Sequence, residues 1–244
     1  MFFNNPIANF AQPIAAAGGG YAKNIVTDGL ILYLDASIAA SNPGSGTTWF
    51  DLSPSGYNFT LYNGAAFGGS GASAYVEFDG SNDYAQNDSA VLAQIGALPE
   101  NTVQMTINPD GTNEEDLWAT NNIGNQGSFL LMLLNNNTVR NHLWTDGGVA
   151  VPDNTNGGSI GGNFQLGGGW SWSTGLCYSY RAGETTVSVS LPGSQPTSAY
   201  TATNLATRYD VTGAFYDGRI YNIVVYNRLL SDAERGQNFT ALAV

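Results

Sequence analysis

In residues 185–191, TTVSVSL, Val187, Val189 and Leu191 occupy every second position, with Ser188 and Ser190 between them. This is the period of a strand with one buried face and one wet face. Comparable runs, bounded by clusters of glycine, proline, asparagine and aspartate, predict strands over 30–35, 74–79, 102–108, 128–134, 139–145, 170–181, 211–215 and 219–226. Helical spacing is confined to short stretches. Over 88–98, Val91, Leu92 and Ile95 follow an Asp or Ser cap, which predicts a short helix across one edge of the structure. Many strands, few helices and no internal repeat predict an all-β chain of two packed antiparallel sheets.

The stretch 217–239, DGRIYNIVVYNRLLSDAERGQNF, has its own logic. Strict alternation cannot put Ile220, Ile223 and Val225 on one face, because the step from 220 to 223 is odd. An extra residue at Tyr221 or Asn222, a β-bulge, restores the register and turns Val224 away from the core, toward an outer face that something must cover. Ser231 and Glu234 then match the S-x-x-E capping box, with Asp232 and Glu234 at the positive end of a short closing helix.

Composition narrows the function classes. The 244 residues are 43% hydrophobic but only 11% charged, and a formal charge of -12 leaves no basic stripe for phosphates. Lys23 is the only lysine and the arginines stand singly, so nucleic acid and anionic membranes are excluded as partners. The lone cysteine, Cys177, excludes an intrachain disulfide framework, and no stretch reaches the 18 apolar residues of a membrane helix. The first twenty residues are apolar, but they lack a basic leader region and are interrupted by Pro6 and Pro13. They are predicted to be an extended arm, residues 1–20, that anchors to a partner through Phe2, Phe3, Ile7, Phe10 and Ile14, with 15–20 as its joint and 21–244 as one domain.

Three stretches resemble one family. Residues 29–64 pair an opening strand with a loop holding Trp49, Asp51, Leu52, Ser53 and Gly56 before an Asn-Gly turn; residues 76–84 read VEFDGSNDY, similar to an FDG-x-x-D-Y strand and turn; and 215–239 has the form of a last strand and closing helical turn. In that order they resemble the laminin-G-like, concanavalin A-like jelly-roll modules, particularly those of bacteriophage structural proteins. The resemblance implies a two-sheet antiparallel jelly-roll sandwich. It also implies a non-catalytic virion protein of the decoration type, made in the host cytoplasm, displayed on capsid or tail and partnered by other virion proteins in a homo-oligomer. The alternatives are a carbohydrate-binding receptor module of a tail fibre and a glycosidase. Residues 163–196 depart from the family pattern, with Trp170, Trp172 and an Ala182-Gly183 turn but no Asn-Gly-tipped hairpin, so no sugar or metal site is carried over.

Candidate chemistry was sought residue by residue. Glu77 and Asp79 have half the spacing of a glycosidase carboxylate set, but Ser81 stands where a third would fall, and the two fit a solvent-facing residue and a turn cap. The consecutive Glu114, Glu115 and Asp116 fit a solvated loop. His142 is the sole histidine, and no G-x-S-x-G elbow accompanies it. The chain is therefore expected to be no enzyme, with no catalytic residue, cofactor or metal ligand. Trp118 and Trp144, near glycine- and asparagine-rich loops, are the candidate contacts for a host-surface glycan. Trp170 and Trp172 fit the core better.

Overall fold

The computed structural model describes residues 22–111, 114–122, 129–134, 138–145, 147–154, 162–195 and 200–244. The arm residues Phe2, Phe3, Ile7, Phe10 and Ile14 lie outside these. Two antiparallel sheets pack face to face as a jelly-roll sandwich. The first runs β15 (Val187–Ser190), β14 (Leu176–Arg181), β13 (Phe164–Ser171), β7 (Glu100–Pro109), β17 (Asp217–Tyr226), β5 (Tyr75–Asp79), β4 (Ala66–Gly68), with β1 (Leu30–Asp35) also on β17. The second runs β11 (Gly148–Ala150), β10 (Val139–Thr145), β9 (Phe129–Leu133), β8 (Glu115–Asn122), β16 (Tyr200–Leu205), β6 (Tyr84–Asn87), β3 (Phe59–Tyr62), β2 (Thr48–Trp49), with β12 (Asp153–Asn154) also on β10. Between the sheets lie Trp49, Phe59, Phe78, Trp118, Phe129 and Trp170, all buried.

The predicted bulge is present. The register of β17 on β7 slips between Ile220 and Asn222. On its other edge β17 pairs with β5 up to Ile220 and with β1 from Asn222 onward, so Tyr221 marks the point where one strand changes partners. Val224 consequently faces outward, as expected, and it is fully buried there.

The cover is the closing helix α2 (Asp232–Leu242) together with residues 22–28. Ser231 and Glu234 form both halves of the capping box. Beneath the helix, Val224 and Tyr226 pack with Ile25, Val26, Leu230 and Leu242. Polar groups on this face of the sheet are matched by the helix. Asn238 donates to Gln104 Oε1 at 2.8 Å, Asn222 donates to the Leu242 carbonyl at 3.0 Å, and Thr106 donates to the same carbonyl at 3.2 Å. The Val26 amide donates to Asn238 Oδ1 at 2.9 Å, locking the start of the described chain to its end. A helix start stands last in the sequence because the middle of the first sheet needs a lid on its outer side.

The family-like stretches have structural jobs. Asp51 Oδ1 accepts from the amides of Tyr33 (2.9 Å) and Ser53 (2.8 Å), while Oδ2 accepts from the Tyr57 amide at 2.8 Å, so one carboxylate sews the loop before β3 onto β1. Asp79 accepts from the amides of Ser81 and Asn82 and holds the turn after β5. These hydrogen bonds keep its carboxyl below the ordinary range.

Three expectations need correction. Residues 211–215 are a loop, not a strand: Val211 (φ 56°) and Ala214 (φ 50°) are left-handed, which no strand tolerates. The strand nearby is β16, whose polar sequence hid it. The single strand expected over 170–181 is a hairpin of β13 and β14, turning through Gly175 at φ 69°. Glu115 and Asp116 belong to β8 and are each 1% exposed, not part of a solvated loop. Ser89, by contrast, does cap α1 (Ala90–Ala93), as expected.

Candidate functional site

On the outer face of the second sheet, aromatic rings and paired charges meet near solvent. This face starts from the alternation of β10. Val139, Asn141 and Leu143 point between the sheets, and Arg140, His142 and Trp144 point outward. Asn141 fixes the strand from behind by donating through Nδ2 to the carbonyls of Gly169 (3.1 Å) and Tyr178 (2.8 Å) in the opposite sheet. That reach depends on the glycine run in β13, because a Cβ at Gly168 would stand 2.8 Å from Asn141 Cγ.

On the outward side, Trp144 packs beside Leu130, Met132 and Ala119, with Leu134 and Tyr209 completing a small apolar cluster. His142 stacks on the Trp144 ring, centroids 3.9 Å apart and planes 19° from parallel. Val149, the cross-strand neighbour of Trp144, is 41% exposed. Burial and the neighbouring Arg140 charge push His142 down to about 4, so its ring is neutral at pH 7. Arg140 donates to both oxygens of Asp153 at 2.7 Å.

The opposite border is the loop following β16. Asn204 donates to the carbonyls of Arg208 (3.2 Å) and Tyr209 (3.1 Å), and Gln86 donates to Asn204 Oδ1 at 3.0 Å, so the loop folds back over its own strand. Arg208 donates to both oxygens of Asp210 at 2.9 and 3.0 Å, with its guanidinium over the Tyr209 ring. Asp116 lies on this side of β8, opposite Met132, and its Oδ1 has no hydrogen-bond partner. Burial first, then the Glu114 charge, raises its carboxyl to about 7. On the other side of the strand, burial raises Glu115 to about 7 as well.

The two tryptophans expected to contact a glycan lie on opposite sides of the second sheet. Trp144 is half-buried on this face. Trp118 is fully buried between the sheets, 6.2 Å from the Phe59 ring, and cannot touch a ligand. The cause is a register slip between Asp116 and Trp118 that sends both Leu117 and Trp118 inward. Glu77 is exposed and 3.6 Å from Arg219, and Asp79 caps its turn, as expected. Trp170 is core and Trp172 packs against the core, also as expected. Sequence reasoning missed Asp116, Asp153, Arg208 and Tyr209. The alternation of β10 signals only Arg140 and His142, which it places on the Trp144 face; the four missed residues come from β8, β12 and the loop after β16. Among the described residues no group of three or more His, Cys, Asp or Glu side chains is arranged to hold a metal ion.

The sequence matches no protein-family model and no curated protein. The fold does have solved counterparts. Trypanosoma rangeli sialidase in complex with sialic acid superposes with a TM-score of 0.63 at 16% identity, over 93% of this chain and 35% of that one. The binding domain of botulinum neurotoxin DC in complex with SialylT gives 0.64 at 12% identity, over 88% of this chain and 52% of that one. The binding domain of botulinum neurotoxin serotype C1 gives 0.64 at 10% identity over the same shares. At these identities the likeness concerns the fold. The chain spans about a third of the sialidase and about half of the toxin chains. The expectation that the chain is no enzyme is overturned by this comparison: the architecture it was inferred from is shared with enzymes, so inertness does not follow from it.

Proposed function

We propose that the chain is a carbohydrate-binding β-sandwich module whose ligand stacks on the Trp144 face of the second sheet. The observation that carries this reading is the Trp144–His142 stack, half-buried beside exposed Val149 and ringed by Arg140, Asp153, Arg208 and Asp210. A sugar presents an apolar ring face and a rim of hydroxyls, and such a surface offers an aromatic plane with donors and acceptors around it. The fold-level neighbours support the reading, since one is a toxin binding domain in complex with SialylT and another a sialidase in complex with sialic acid. Trp144→Ala is expected to weaken glycan-array binding at least about tenfold while leaving the thermal midpoint near that of the parent. Undiminished binding by that variant would sink the assignment.

The setting proposed is the virion surface that the phage-like motifs imply. Residues 22–28 dock on the outer side of the first sheet, beneath α2, whereas Trp144 faces out from the second. A tether entering on one layer leaves the other layer free to face the host. The neighbouring structures are enzyme and toxin chains and lend this setting no support. Deleting residues 1–17 is expected to prevent incorporation into particles without unfolding the domain; truncated protein found in purified particles would refute it.

A further inference from the structure

All seven basic side chains of the chain lie among the described residues, and each already has a partner. Lys23 pairs with Asp35, Arg140 with Asp153, Arg208 with Asp210, Arg219 with Glu77 and Asp110, Arg228 with Asp28 and Glu234, and Arg235 with Asp232. The seventh, Arg181, stands in the other sheet with its guanidinium 4.3 Å from the Phe164 ring centroid. On the Trp144 face the balance tips further. Arg140 and Arg208 are each held by both oxygens of their own carboxylate, and Glu114 adds an acidic group beside Arg140.

From this we infer that the ligand of the Trp144 face is a neutral saccharide, rich in hydroxyls and without carboxylate, sulfate or phosphate. The inference rests on the carbohydrate-binding reading above and narrows it. An anionic sugar would have to displace Asp153 from a two-point guanidinium contact and leave that carboxylate half-buried without its partner. It would also approach a chain of formal charge -12. A hydroxyl meets the same surface on better terms. It donates to the carboxylates of Asp153 and Asp210 while these keep their arginines. The neutral His142 ring adds a donor without charge. The preference thus differs from the sialylated ligands named for the fold-level neighbours.

The test is a titration of the intact chain with matched oligosaccharides that differ by one sialic acid, lactose against 3'-sialyllactose and equivalent array pairs, using the parent, Trp144→Ala and Asp153→Asn. The parent is expected to bind neutral members at least about tenfold more tightly than their sialylated partners, in a Trp144-dependent way. Asp153→Asn, which releases the Arg140 guanidinium, is expected to narrow that gap by strengthening the sialylated member. A thermal midpoint near that of the parent certifies that this variant is folded. Equal or tighter Trp144-dependent binding of the sialylated member overturns the neutral preference and leaves the carbohydrate reading standing. Absence of binding to either member of every pair overturns both.

Discussion

Replacing Trp118 by alanine is expected to cost about 3–5 kcal/mol of stability, the range for removing a large buried aromatic side chain. The indole is fully buried, packs against Phe59 and belongs to the core that both sheets share. A domain of this size loses roughly 2–4 °C per kcal/mol, so the thermal midpoint should fall by roughly 6–20 °C. Calorimetry on the parent and the variant measures it directly. Below its midpoint the variant should bind glycan as the parent does, which separates Trp118 from Trp144: one is needed to fold and the other to hold a ligand. A drop of less than about 1 kcal/mol, or a lost ligand with unchanged stability, would contradict the placement of Trp118.

The second large effect is on the pH dependence of stability. Glu115 and Asp116 are consecutive, buried and raised to about 7, chiefly by burial. A carboxyl with a folded-state pKa above its unfolded value favours the fold while it is protonated. That contribution is complete below about pH 4 and is lost as pH rises through about 7. Each carboxylate is then worth on the order of 3 kcal/mol between those limits. Other groups work in the opposite sense. His142, lowered to about 4, must be protonated against its burial as pH falls below its unfolded value, and Glu234, lowered to about 2 by Arg228 and the Ser231 cap, loses its stabilising charge in acid. The variant Glu115→Gln/Asp116→Asn isolates the first pair. It is expected to exceed the parent in denaturant midpoint at pH 8 and to lose that advantage at pH 5. A variant no more stable than the parent at pH 8 would show that these carboxyls are not held neutral by the fold.

The same two residues show where sequence reasoning stops. The opening strand, the bulge at Tyr221, the capping box at Ser231 and the cap at Ser89 were legible because each is a local pattern with a local cause. A run of three acids is also a local pattern, and its ordinary cause is solvation. Here β8 buries Glu115 and Asp116 on its two faces and leaves Asp116 Oδ1 without a hydrogen-bond partner, an arrangement that burial costs argue against and that only the assembled sheets impose. Trp118 was misplaced for a related reason. The slip beside it reverses the side that alternation would assign, and nothing in E-D-L-W-A-T marks where it occurs. β16 was missed because Thr201, Thr203 and Asn204 interrupt its apolar positions; Thr203 and Asn204 are nevertheless buried, Asn204 beneath the Arg208–Asp210 loop. Trp144 was legible as a candidate contact, but the charges around it come from β12 and from the loop after β16, and periodicity cannot bring those together.

The placement of β17 has a consequence for biosynthesis. It lies between β7 on one side and β5 with β1 on the other, so the middle of the first sheet is supplied by a strand that follows all three of its partners in the chain. Until residues 217–226 leave the ribosome, the edges of β7, β5 and β1 wait unzipped. The nascent chain therefore has to delay closure of this sheet until β17 has followed its three partners out, and its hazard in that interval is capture of those edges by another copy.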